Sequence, residues 1–377
     1  MNEKIEASLM LSSYFETLGF KNGEWEFNYT IIPNDLHEYT SMWNILNHNF
    51  LILGGPMNIS LNNWNASDDT IMIIATGNAI VKGDYEKEYL DIYDLLYSQK
   101  RGSGKCTLTS LEKLKRNQPL DINSSMGGNG AAMRTGPIGL YYYNDIEKVI
   151  QESIKASIIT HNYYLGFLGG MVTAVFTAFA MKNIPAWKWC EELITLYNKK
   201  IIHKYYPEKH NINDLNEYIG YWKRYQETRI NKLKYKNTLD NCKFPEDRTT
   251  FLLSFYPNSK IKDLTLRGEK LNKLKFNWNH IASTGLDVCI YAYDCLLMSM
   301  ITPNSNNLDL NNFIYSFDTF MTLVCIHPGD NDTTGAIGGT WFGALNGYGD
   351  FNRVRIKELE FYSELLDVSK KLKKLKS

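Results

Sequence analysis

The stretch His327-Pro-Gly-Asp-Asn-Asp-Thr-Thr-Gly-Ala-Ile-Gly-Gly-Thr-Trp-Phe-Gly-Ala-Leu-Asn-Gly347 sets two carboxylates, Asp330 and Asp332, and two hydroxyls, Thr333 and Thr334, ahead of a segment punctuated by Gly and Ala. Small residues at this spacing let other backbones approach closely, so the segment reads as a helix packed tightly on its neighbours. Hard cations such as Mg²⁺ take oxygen ligands in a near-octahedral array, and a D-x-D-T run offers several from one turn. Asp330 or Asp332 would equally serve as a simple cap of the following helix. Two other patterns share these letters. An EF-hand loop needs a Glu at its twelfth position, which counting from Asp330 is Trp341. A D-x-D-x-T phosphatase loop fits Asp330, Asp332 and Thr334, but it should follow a buried strand, and Pro328-Gly329 breaks the chain just upstream. Spacing alone excludes neither.

A second polar cluster, Ser67-Asp-Asp-Thr70, precedes the apolar run Ile71-Met-Ile-Ile-Ala75. Ser67 reads as an N-cap with Asp68 and Asp69 in the first helical turn. Two carboxylates and two hydroxyls exceed what a cap requires, and two such clusters far apart in sequence can jointly surround one or two cations.

The remaining segments are mostly helical in pattern. Residues 5–19 form an amphipathic helix ending at Gly19, with Glu16 placed against the helix dipole near its C-terminal end. The turn Lys21-Asn22-Gly23 leads to Trp25-Glu26-Phe27, where a lone Glu between aromatics is ordinarily solvated. The basic loop Lys100-Arg-Gly-Ser-Gly-Lys105 lacks P-loop spacing. Asn123-Ser-Ser-Met-Gly-Gly-Asn-Gly-Ala-Ala-Met-Arg134 is a glycine-dense loop running into a helix, where free N–H groups suit a phosphate or ribose and where packing alone would also demand glycine. No βαβ alternation of the Rossmann type surrounds it. His161, at the entry of the next helix, reads as a structural histidine or a base. Leu165–Met181 approaches the length of a membrane span, but its Gly and Thr content fits a buried core helix. Basic and aromatic residues interleave over 188–240, as in Tyr221-Trp-Lys-Arg-Tyr225, and amphipathic surface helices account for them. Further on, Asp287 and Asp294 lie seven residues apart on nearly one helix face. Two more helices cover 311–325 and 355–366, and the basic tail 367–377 is expected to fray.

Composition bounds the reading. The 41 basic and 41 acidic side chains balance, so nothing points to nucleic acid or an anionic membrane. Six cysteines without a CxxC pair, and a start lacking signal-peptide character, lead us to expect a reducing, cytoplasmic location. Few period-2 stretches and no internal repeat predict one mainly α-helical domain over 1–366, which we expect to be monomeric.

Taken in order, Leu18-Gly-Phe-Lys-Asn-Gly-Glu-Trp-Glu-Phe27, Ser67-Asp-Asp-Thr70, Gly128-Asn-Gly-Ala-Ala-Met-Arg134, Thr160-His161, Leu165-Gly-Phe-Leu-Gly169, Tyr291-Ala-Tyr-Asp294 and Gly329-Asp-Asn-Asp-Thr333 resemble the ADP-ribosylglycohydrolase family, which includes the dinitrogenase reductase-activating glycohydrolases. Within it, the Asn22-Gly-Glu-Trp-Glu-Phe27 turn is most similar to the ADP-ribosylarginine hydrolases. The resemblance implies an all-α fold, a single compact orthogonal multi-helix domain with a central cleft holding two Mg²⁺ ions, and hydrolysis of the N-glycosidic bond that links ADP-ribose to arginine in a modified protein. It implies Ser67, Asp68, Asp69, Asp330, Asp332 and Thr333 as metal ligands, with Asp68 and Asp69 also serving catalysis. It implies that Glu26, Arg101, Gly102, Gly104, Gly127, Gly128, Asn129, Gly130, Met133 and His161 line the ligand. A family member that binds ADP-ribose or ADP-ribosylated proteins without turnover is the alternative, and a D-x-D-x-T phosphohydrolase the remoter one. Three positions depart from the family pattern: Phe15-Glu16 for Gly-Asp, Pro328 for Gly, and Leu286 for the His of the closest relatives.

Overall fold

The glycine stripe of Asn331–Asn346 determines what lies beside it. A Cβ at Gly335 would fall 2.7 Å from the Phe15 carbonyl oxygen, one at Gly343 would fall 2.5 Å from Ser8 Cα, and one at Gly339 would run into the Leu11 carbonyl. Only glycine lets the N-terminal helix Asn2–Phe20 lie this close along its whole length, and these two helices form the most intimate pair in the fold. Helices far apart in sequence thus pack side by side.

The computed structural model describes residues 2–26, 36–99, 101–120, 122–231, 265–266, 269–270, 280–305 and 308–375. Its helices are α1 (Asn2–Phe20), α2 (Leu36–Ile52), the single turn α3 (Gly55–Asn58), α4 (Asp68–Lys82), α5 (Tyr85–Asp91), α6 (Tyr93–Ser98), α7 (Lys105–Lys115) and α8 (Gly136–Tyr142). They continue with α9 (Ile146–Ile158), α10 (Tyr164–Met181), α11 (Trp189–Asn198), α12 (Ile212–Tyr225), α13 (Asp287–Met298), α14 (Phe317–Cys325), α15 (Asn331–Asn346) and α16 (Tyr362–Lys374). Among the described residues the only strands are two-residue antiparallel pairs, Thr265–Leu266 with Glu269–Lys270 and Met300–Ile301 with Ile314–Tyr315. The fold is all-α.

Helix α10 is long and apolar enough to cross a membrane, yet every residue of it is buried inside the protein. Trp341 on α15 donates its Nε1–H to the Thr173 carbonyl of α10 at 3.1 Å, and Phe176 packs among Trp189, Trp222, Tyr293 and Trp341. Helix α12 buries Leu215, Tyr218, Ile219 and Trp222, the i, i+3, i+4, i+7 face expected of an amphipathic surface helix. Residues 232–240 of the 188–240 span, and the residues Phe27 and Lys100, lie outside the described residues.

Three boundaries differ from expectation. The C-terminal segment does not fray from residue 367: α16 continues to Lys374, because Val368, Ser369 and Leu372 are buried and Lys373 pairs with Glu6 at 2.9 Å. Instead of a helix over 355–366, a 3₁₀ segment Arg353–Glu358 is followed by a break at Leu359-Glu360-Phe361. The first helix begins at Asn2, three residues before the predicted start.

Candidate active site

Both aspartate clusters form helix starts. Ser67 is extended and its Oγ accepts the Asp69 N–H at 3.2 Å, which caps α4 and leaves Asp68 and Asp69 in the first turn. Asp330 caps α15, its carboxylate accepting the Thr333 N–H at 3.3 Å, and Asp332 Oδ1 accepts the same N–H at 2.8 Å. The positive ends of two helix dipoles therefore meet four carboxylates. Capping accounts for Ser67 and one oxygen of Asp330. It does not account for Asp69 Oδ2, which is buried without a hydrogen-bond partner among the described residues.

Packing supplies a fifth acid. Carboxylate oxygens of Glu26, Asp330 and Asp332 lie within 4.8 Å of one another, although Glu26 is some three hundred residues away in sequence. Gly102 makes room for it: with φ of +81° and a virtual Cβ 2.8 Å from Glu26 Oε2, no side chain fits there. Burial first, and then mutual repulsion, raises these acids above the usual carboxylate range. Asp68 is pushed to about 7 by burial and Asp330, and Asp332 to about 6 by burial with Glu16 and Asp68 nearby. Burial and neighbouring carboxylates also raise Asp69, Asp330 and Glu26 well above their ordinary values. An array of repelling carboxylates around an unpartnered carboxylate oxygen is what a hard divalent cation relieves, so the donor set fits Mg²⁺.

These acids form the floor of a cleft of about 940 Å³, large enough for a dinucleotide-sized ligand. One wall is the glycine loop. Gly128 bridges Thr284, and Asn129 donates its amide to Asp330 Oδ2 at 2.7 Å and to the Ala282 carbonyl at 2.8 Å, so the loop is pinned to the acidic floor. The segment that the glycine loop pairs with is held by Asp287, whose carboxylate accepts the N–H groups of Ala282 and Thr284 at 2.7 and 2.8 Å and stabilises Ala282 at a φ of +63°.

Of the residues singled out in the sequence, Glu26, Asp68, Asp69, Gly102, Gly104, Gly128, Asn129, Gly130, Met133, His161, Asp330, Asp332 and Thr333 all line this one cleft. Ser67 and Gly127 are not among the lining residues, although each adjoins one in sequence. Arg101 does not line it: its guanidinium pairs with Glu360 and donates to the Ala66 carbonyl at 2.8 Å, because the break before α16 brings that carboxylate to the loop. Asp294 is spent on a buried pair with Arg229, so the shared face of Asp287 and Asp294 serves structure rather than the cleft. The segment ahead of Asp330 is helix α14 rather than a buried strand, which removes the D-x-D-x-T phosphohydrolase, and Trp341 is buried within α15, which removes the EF-hand. Cys106 and Thr107 also line the cleft and were not flagged by the sequence; their signal is their place in the first turn of a helix that follows a glycine loop.

Known proteins agree with this architecture. Protein L444 of Acanthamoeba polyphaga mimivirus, named as an ADP-ribosyl glycohydrolase, is 31% identical over 95% of this chain and 67% of its own length. ADP-ribosylhydrolase ARH1 of Dictyostelium discoideum is 29% identical over 98% of this chain and 93% of its own. A solved "ADP-ribosylglycohydrolase-related protein complex" superposes with a TM-score of 0.56 over 99% of both chains at 15% identity, which shows a shared fold. The family model described as ADP-ribosylglycohydrolase matches residues 23–377, and with the convergent carboxylates in the cleft this establishes that the chain belongs to the ADP-ribosylglycohydrolase family.

Proposed function

We propose that this protein is a Mg²⁺-dependent hydrolase that releases ADP-ribose from modified proteins by cleaving its N-glycosidic bond to arginine. The observation that carries the reading is the convergence of Glu26, Asp68, Asp69, Asp330 and Asp332 on one cleft of ligand size. Ser67, Asp68, Asp69, Asp330, Asp332 and Thr333 would hold two Mg²⁺ ions, with Glu26 beside the second cluster; when bound, the metals supply Lewis-acid polarisation and neutralise the acidic floor.

The chain's own groups do the rest. The Gly128–Gly130 loop orients the ribose through a backbone held by Asn129, and the carboxylate wall stabilises positive charge developing at the anomeric carbon. Asp68 or Asp69 takes a proton from the attacking water as its oxygen bonds to that carbon. The C–N bond breaks, its electron pair stays on the guanidine nitrogen, and the same carboxyl returns the proton to that nitrogen, so that arginine leaves as its guanidinium. The Asn22-Gly-Glu-Trp-Glu26 turn supports the arginine linkage, since it carries the resemblance to arginine-specific relatives and delivers Glu26 to the cleft.

A panel of arginine-, serine- and cysteine-linked ADP-ribosyl peptides, incubated with Mg²⁺ or with chelator, tests this directly. Cleavage of the arginine linkage alone, dependent on Mg²⁺, is expected. Binding of ADP-ribose by calorimetry with no linkage cleaved would replace this reading by that of a binding protein.

A further inference from the structure

His161 stands on the wall of the cleft, and what lies behind it fixes where its proton resides. Arg134 is wholly buried and stacked on Tyr89 at 4.7 Å; its guanidinium donates to the Gly130 carbonyl at 2.6 Å, to the Ala156 carbonyl at 3.2 Å and to Thr160 Oγ1 at 2.6 Å. Thr160 Oγ1 lies 2.8 Å from Nδ1 of His161. Guanidinium groups only donate, so the threonine oxygen accepts from Arg134. Among the described residues this hydroxyl has only these two side-chain partners, so its single proton is directed to Nδ1. Nδ1 is then an acceptor, and the proton of a neutral ring sits on Nε2. The Cε1–Nε2 edge faces Gly130, where a Cβ would fall 2.7 and 3.0 Å from those atoms. Burial, followed by the nearby Arg134 charge, holds His161 well below the usual imidazole range, which keeps the ring neutral.

We propose that Thr160 and Arg134 lock His161 as the Nε2–H tautomer, making the ring a fixed hydrogen-bond donor to an acceptor oxygen of bound ADP-ribose and disqualifying it as the proton acceptor of the reaction. The proposal rests on the reading of the cleft as an ADP-ribose site. His161 touches the ligand; Thr160 and Arg134 are positioning residues that act through it. The same guanidinium grips the Gly130 carbonyl, so the donor and the glycine loop are set by one buried group.

The experiment is long-range ¹H–¹⁵N NMR of the full chain labelled at histidine, with Mg²⁺ present, before and after addition of ADP-ribose. The expected spectrum has a bare Nδ1 and a protonated Nε2 on His161 that do not change between neutral and mildly alkaline pH. Thr160→Val keeps the side-chain shape but removes the hydroxyl, so it should mix the tautomers, weaken ADP-ribose binding by about three- to tenfold and raise KM more than it lowers kcat. Thr160→Ser should restore both the spectrum and the affinity, which a purely packing role for Thr160 would not require. A protonated Nδ1 in the unsubstituted protein, or a Thr160→Val variant with unchanged spectrum and affinity, overturns the proposal. If the Nε2–H form is found in a protein that binds no ADP-ribose, the donor role falls together with the functional reading while the tautomer assignment stands.

Discussion

Glu16 on α1 accepts the backbone N–H of Ser67 at 3.1 Å through one carboxyl oxygen, while the other meets the Thr70 hydroxyl. A helix that contributes no cleft residue thus holds the start of the helix that contributes two. Glu16 is fully buried, and that burial raises its carboxyl to about 8. Its neighbour Phe15 packs against Phe317 and Phe320 at 5.4 and 5.9 Å. The Phe15-Glu16 departure from the family pattern therefore builds the floor beneath the cleft.

Shortening this carboxyl should weaken the floor. Glu16→Asp cannot reach both Ser67 and Thr70, and the lost contact plus a small void should cost roughly 1–3 kcal/mol. Glu16→Gln keeps the length and stays close to the parent. Thermal melts and turnover numbers check this, and a tenfold gain in turnover for Glu16→Asp would contradict the structural role.

Asp69→Asn and Asp332→Asn should each abolish turnover and remove the thermal stabilisation that Mg²⁺ confers, since a ligand that binds only the folded state stabilises it by mass action. Were these residues caps alone, each change would cost about 1 kcal/mol and leave turnover intact. Melts with and without Mg²⁺, read beside activity, separate the two cases.

Stability of the metal-free protein should fall as pH rises. Asp332, Asp68 and Glu16 titrate in the fold at about 6, 7 and 8, against roughly 4 in an unfolded chain. The folded state then binds more protons than the unfolded one between these limits, so stability fully present below about pH 4 is lost progressively as pH rises to about 8. In chelator the melting temperature should drop between pH 5 and 8.5, and added Mg²⁺ should raise it more at pH 8 than at pH 5. A chelated protein that gained stability over that range would refute the crowding of these acids.

Arg101 and Glu360 should behave as one unit. The pair spans the loop before α4, where Arg101 also offers its carbonyl to the Asp68 N–H at 2.9 Å and Glu360 accepts the Ala66 N–H at 3.0 Å. Arg101→Ala and Glu360→Ala should each weaken Mg²⁺ binding by about three- to tenfold, with the double variant little worse than either, because contacting residues are not additive. Calorimetric titration with Mg²⁺ checks it; loss of ADP-ribose affinity in Arg101→Ala alone would instead make Arg101 a ligand contact.

Much of this was written locally in the chain. Ser67 and Asp330 cap helices because a short oxygen-bearing side chain satisfies N–H groups two or three residues on, and glycine every fourth residue from 335 to 343 aligns one bare stripe, so both features depend only on near neighbours and were legible by inspection. The all-α class followed from the same short-range periodicity. What only the tertiary structure decided is which distant groups meet. Glu26 joins Asp330 and Asp332, Arg101 turns away to Glu360, Glu16 reaches Ser67, and α16 runs on to Lys374 because its apolar face finds a core. Each of these pairings links residues separated by tens to hundreds of positions, and helix packing alone sets such distances: no spacing rule along the chain carries information about which buried carboxyl will face which partner once the helices have closed.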